Sequence, residues 1–133
     1  MTEQQPIRHQ LKNGTIEYRL PNGDLHRTDG PAIEYDDGEK HWFQNGKPHR
    51  VDGPAIEAVD GSKHWYLNGQ YHREDGPAFK YPDGSKAWFK NGEQHRTDGP
   101  AIERADGYKE WWQNGILIRK ELPSKVHLIQ NQN

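Results

Sequence analysis

Histidine recurs at His26, His49, His72 and His95, at a constant interval of 23 residues. An arginine follows each one (Arg27, Arg50, Arg73, Arg96), and two residues beyond lies an aspartate (Asp29, Asp52, Asp75, Asp98). Tryptophan keeps the same interval at Trp42, Trp65, Trp88 and Trp111, with Trp112 adjoining the last. These residue types offer imidazole for a metal ion, guanidinium for phosphate, indole for stacking, and carboxylate for acid–base work.

The spacing weighs against two of the four. Zinc gathers its nitrogens at ~2.0–2.1 Å around one ion. If each unit is one hairpin, equivalent histidines lie roughly 10 Å apart, twice the strand spacing, so neither metal nor cofactor is expected. Catalysis is not expected either. There is no cysteine, the serines Ser62, Ser85 and Ser124 sit in no nucleophile motif, and neither a P-loop nor a Gly-x-Gly-x-x-Gly is present. The acids recur from unit to unit, whereas active sites are single constellations. For the arginine stripe, local Arg–Asp pairing competes with anion capture. For the indoles, a protein interface competes with base or sugar stacking.

These residues sit in a chain of 133 residues with 30% apolar content, where ~45–50% is usual for soluble domains. Only 21 residues are Leu, Ile, Val or Phe, yet 14 are aromatic and the formal charge is −2. Disordered chains rarely combine near-neutrality with so many rings, so a thin, aromatic-rich structure is expected. No apolar run approaches the ~18 residues of a membrane span. The opening MTEQQPIRHQ has no apolar stretch of the kind a secretion signal carries, and a cytoplasmic protein is the expectation. The near-neutral charge predicts neither a membrane nor a specific nucleic-acid partner.

Asn-Gly marks the period, at Asn22, Asn45, Asn68, Asn91 and Asn114. Four units follow without insertion over residues 22–113, sharing N-G-x-x-H-R-x-D-G-P-A-φ-[EK]-x-x-D-G-x-K-x-W-aromatic-x. Residues 1–21 read as an N-terminal cap of half a repeat, and 114–133 as a C-terminal cap and tail. Asn-Gly and Asp-Gly between strand-like runs are strong hairpin signals. No window in the repeats reaches ten residues without Gly or Pro, so helices are not expected. The predicted fold is all-β: an elongated, single-layer antiparallel sheet of tandem hairpins.

A two-residue loop at Asn45-Gly46 places Phe43 opposite Pro48 and Trp42 opposite His49. The same register sets Trp65 against His72, Trp88 against His95 and Trp111 against Ile118, and predicts histidine packing on tryptophan. At Asp-Gly a three-residue loop is preferred over a two-residue one. It pairs Glu34 with Lys40, Glu57 with Lys63 and Glu103 with Lys109, while the third unit departs with Lys80 and Lys86. Asp52-Gly53-Pro54 reads as a bulge or tight bend. Adjacent Trp42 and Phe43 must point to opposite faces, as must Trp65/Tyr66, Trp88/Phe89 and Trp111/Trp112. Each face thus carries an aromatic column, and a lone layer cannot bury both.

The 23-residue hairpin unit with Asn-Gly/Asp-Gly punctuation and a following aromatic resembles MORN repeats, closest to bacterial variants. The string H-R-x-D-G-P-A at His26, His49, His72 and His95 is similar to repeat proteins of bacteriophages and large viruses. The resemblance covers the four units and partial caps. It implies an elongated antiparallel sheet serving as a scaffold or dimerisation module. The phage likeness implies a host-defence antagonist in the host cytoplasm, and some bacterial variants suggest an antitoxin-like inhibitor. Arg-x-Asp-Gly-Pro-Ala stands where the standard repeat has Gly-x-Gly before its aromatic strand, and lipid binding is not carried over.

The expected function is therefore a non-enzymatic scaffold that binds a protein partner, and a second copy of itself, through an aromatic sheet face. The residues assigned to that face are Trp42, Trp65, Trp88, Trp111, Trp112, His49, His72, His95, Arg50, Arg73 and Arg96. The alternative is capture of a nucleotide or other phosphate ligand on the arginines and tryptophans. The tail from Ser124 reads equally as strand, short helix or loose segment, with Val126, Leu128 and Ile129 available to cover an aromatic column.

Overall fold

A computed structural model describes residues 4–123, and the expected tail contacts of Ser124–Asn133 lie outside the described residues. The N-terminal segment supplies β1 (Ile7–Gln10) and β2 (Ile16–Arg19). The first unit gives β3 (Ile33–Glu34), β4 (Lys40–His41) and β5 (Phe43–Gln44), and β6 (Lys47–Pro48) opens the second. The second continues with β7 (Ile56–Glu57), β8 (Lys63–His64) and β9 (Tyr66–Leu67), and β10 (Gln70–Tyr71) opens the third. The third continues with β11 (Phe79–Lys80), β12 (Lys86–Ala87) and β13 (Phe89–Lys90), and β14 (Glu93–Gln94) opens the fourth. The chain then forms β15 (Ile102–Glu103), β16 (Lys109–Gln113) and β17 (Ile116–Glu121). Among the described residues there is no helix.

The Asp-Gly hairpins join edge to edge into one antiparallel sheet of 11 strands, in the order β1-β2-β3-β4-β7-β8-β11-β12-β15-β16-β17. The Asn-Gly hairpins β5–β6, β9–β10 and β13–β14 stand as separate pairs alongside. The fold is the elongated single-layer sheet that the repeat predicts. Tryptophan is the point where each unit changes partner. The Trp42 N–H donates to the Ala55 carbonyl of the next unit at 2.6 Å, while its own carbonyl accepts the His49 N–H at 3.0 Å. Trp65 and Trp88 repeat this with Ala78 and His72, and with Ala101 and His95. The strand therefore begins in the large sheet and ends in its own hairpin.

Turn chemistry sets both registers. Asn45, Asn68, Asn91 and Asn114 adopt φ of 50–52°, followed by glycines at 77–82°, the two-residue turn that matches strand twist. At Asp-Gly the three-residue loop holds, with Glu34 opposite Lys40, Glu57 opposite Lys63, Lys80 opposite Lys86 and Glu103 opposite Lys109. At Asn22-Gly23 the loop has three residues, with the Leu20 N–H reaching Asp24 O at 2.8 Å around Pro21, Asn22 and Gly23. One local expectation is corrected. Trp111 does not face Ile118, because a bulge between Trp111 and Trp112 sets Trp111 opposite Arg119.

The sheet has almost no interior. Among the described residues no large side chain is fully buried, and the apolar core is Ile33 and Ala87 with Ala32, Ala55, Ala78 and Ala101, the last four at 0% exposure. The ends are closed by different means. β2 lies between β1 and β3, which covers the first unit's edge. At the far end the chain does not bend away after its last hairpin. It continues as β17, pairing Lys109 with Glu121 and Glu110 with Lys120, where an interior unit would pair with its successor.

Candidate functional site

One face carries five arginine–aromatic stacks. The guanidinium carbons of Arg50, Arg73, Arg96 and Arg119 lie 3.8–3.9 Å from the ring centroids of Trp42, Trp65, Trp88 and Trp111. Arg27 covers Tyr18 at 4.0 Å, so the N-terminal segment reproduces the motif with a tyrosine. Each interior guanidinium is held on its other sides too. Nε donates to Asp29, Asp52, Asp75 or Asp98 at 2.9–3.1 Å, and Nη1 to the carbonyl of Pro31, Pro54, Pro77 or Pro100 at 3.0–3.1 Å. A Cβ on Gly30, Gly53, Gly76 or Gly99 would come within 2.8–2.9 Å of the guanidinium carbon. Glycine in Asp-Gly-Pro thus makes room for the cation, and the local Arg–Asp pairing weighed for the stripe is present.

The histidines serve a different purpose from the one expected. Nδ1 of His26, His49, His72 and His95 accepts the backbone N–H of Asn45, Asn68, Asn91 and Asn114 at 2.9–3.0 Å. Each imidazole thus ties one unit to the Asn-Gly turn of the next, which requires the tautomer protonated at Nε2. His72 completes this by donating Nε2–H to Glu74 at 2.8 Å. The predicted histidine-on-tryptophan packing is replaced by arginine-on-tryptophan. The signal was legible: an arginine stands eight residues after each of the four tryptophans, including Arg119 after Trp111, where the histidine is replaced by Ile118.

Between successive Asp-Gly-Pro bends this face holds three grooves of about 600–650 Å³. Their walls bring together Arg50, Arg73 and Arg96 with Trp42, Trp65, Trp88, His49, His72 and His95. Trp112 is not among these residues. Its Nε1–H donates to Glu110 at 2.7 Å on the opposite face. Among the described residues no group of three or more His, Cys, Asp or Glu side chains could hold a metal ion. No described helix is long and apolar enough to cross a membrane.

The opposite face is a continuous cluster of rings. Tyr66 stacks on Tyr71 at 4.4 Å, Tyr71 meets Phe89 at 5.0 Å and Phe79 at 5.7 Å, and Phe79 meets Tyr81 at 4.8 Å. Burial pushes the Tyr71 hydroxyl far above the usual phenol range and holds His64, whose Nδ1 lies 3.0 Å from that hydroxyl, below the usual imidazole value. The third unit has Ala87 where the others have His41, His64 and Glu110. A cleft of about 270 Å³ opens there between Phe79, Phe89 and Ile102. The sequence places a column on this face, and of the residues assigned to the site Trp112 alone lies here.

No family model matches the chain, and no curated protein matches it.

Proposed function

We propose that the chain is a non-catalytic repeat scaffold with a MORN-like unit, binding a protein partner and a second copy of itself through the Phe/Tyr face. The observation that carries this reading is the contrast between the two aromatic columns. On the tryptophan face Trp42, Trp65 and Trp88 are each covered by a guanidinium that is already hydrogen-bonded. On the other face Phe43, Tyr66, Tyr71, Phe79 and Phe89 are half-exposed, and Tyr35 and Tyr81 are more open. Clustered rings with an apolar cleft among them suit the buried anchors of a protein interface. Cytoplasmic residence, in a host cell for a viral protein, belongs to this reading.

Tyr81→Glu places a charge on the rim of the face at a residue 43% exposed, so the hairpins fold. Light scattering is expected to show an assembly for the native chain and a monomer for the variant, with unchanged circular dichroism. A bound protein partner is expected to be lost from the same variant. A native chain that stays monomeric at all concentrations, or partner binding indifferent to the substitution, refutes the reading.

A further inference from the structure

The registers place one residue from each of nine neighbouring strands in a row across the sheet. That row reads Glu34, Lys40, Glu57, Lys63, Lys80, Lys86, Glu103, Lys109 and Glu121. Acid and base alternate throughout except at Lys80, which stands where the other units have glutamate. Three lysines therefore face one another directly across β8, β11 and β12. Like charges directly opposite are destabilising, and adjacent strands lie only ~4.8 Å apart.

The surroundings do not neutralise them. The carboxylates at either end of the triad are drawn to arginines: Glu57 to Arg50 at 3.0 Å and Glu103 to Arg96 at 3.2 Å. In the third unit the corresponding arginine, Arg73, has Lys80 in place of that carboxylate and pairs with Asp75 at 3.1 Å. Among the described residues neither Lys63, Lys80 nor Lys86 makes an ion pair within 4.0 Å. Lys63 and Lys80 are exposed and Lys86 is half-exposed.

We infer that Lys63, Lys80 and Lys86 form an anion site for an oligophosphate chain, free or carried by a nucleotide. Three ammonium groups along a row of roughly 10 Å, on flexible four-carbon stems, match several linked phosphates better than one isolated anion. Among the described residues the site occurs once, unlike the repeated Arg–Asp pairs, whose guanidiniums are already engaged. It does not rest on the protein-binding reading, which concerns the other face.

Lys80→Glu is the direct test, since it restores the pattern of the remaining units and removes like-charge repulsion. Calorimetry at low ionic strength with inorganic triphosphate and with ATP is expected to show binding by the native chain. Lys80→Glu is expected to lower the affinity by roughly tenfold or more, because one favourable contact becomes a repulsive one. The same variant should melt at a higher temperature, so lost binding is not lost folding. Lys109→Gln, in the same row beyond Glu103, should bind as the native chain does. No binding by the native chain, equal binding by Lys80→Glu, or an equal loss in Lys109→Gln overturns the inference.

Discussion

The guanidinium of Arg50 lies 3.8 Å above the ring of Trp42, with the α-carbon of Gly53 closing its opposite side. Gly53 does not occupy the left-handed region, so alanine there is opposed by contact alone. A Cβ would stand 2.9 Å from the guanidinium carbon and must push Arg50 off the indole. The atoms displaced are the free end of a flexible side chain, so Gly53→Ala should cost the worth of the stack, roughly 0.5–2 kcal/mol. Urea unfolding followed by tryptophan fluorescence reads this loss, and an unchanged midpoint would remove the stack as a source of stability.

The inter-unit histidine bonds should differ in strength with burial. His26 is 4% exposed, and removing it strands the Asn45 N–H in a part-buried place. His95 makes the same bond to Asn114 in an exposed setting, where water replaces it. His26→Ala should cost about 1–3 kcal/mol and His95→Ala less than about 1 kcal/mol. Equal losses in chemical denaturation would show that these bonds do not couple the units as the geometry indicates.

Local turn chemistry made much of this fold legible. Asn-Gly admits the positive φ that its hairpin needs, which fixed Phe43 opposite Pro48, and Asp-Gly fixed Glu57 opposite Lys63. The face-specific contacts were harder to read, because they depend on a bend. Trp42 sends its N–H to Ala55 and its carbonyl to His49, so the strand leaves the large sheet at that residue. Past the hairpin the Arg50 N–H bonds to the Tyr66 carbonyl of the neighbouring hairpin at 3.1 Å, and its side chain, not that of His49, lies over the indole. Strand alternation within one hairpin cannot anticipate a side chain whose backbone is held by the neighbouring hairpin.

Acid should weaken the second unit through His64. Its imidazole lies below the usual value, chiefly through burial and against the opposing pull of Asp60. The unfolded chain therefore takes up the proton first as pH falls, and stability present above the unfolded value is lost towards the folded one. Melting temperature should fall as pH drops through the unfolded imidazole value of 6.5 and below it, and less steeply in His64→Ala, which copies the third unit's Ala87. Parallel pH profiles for the two proteins would rule out His64 as the titrating group.

Glu110 gives the last hairpin its own acid sensitivity. Its carboxylate accepts the Tyr108 hydroxyl at 2.6 Å and the Trp112 indole N–H at 2.7 Å, filling the position that histidine or alanine takes in the other units. The Tyr108 bond, followed by that from Trp112, holds the carboxyl below its ordinary range despite opposing desolvation. The linkage sign follows: the stabilisation is complete above the unfolded carboxyl value and disappears as pH falls through the folded one. Glu110→Gln keeps an acceptor but no charge, so the indole contact should weaken without vanishing; Glu110→Ala removes it, at about 1 kcal/mol. The Trp112 indole N–H resonance reports on the contact directly. In the native chain it should shift with the carboxylate's titration, and in Glu110→Gln it should be flat over the same range. A native resonance that does not move in acid would mean that Glu110 does not hold the ring.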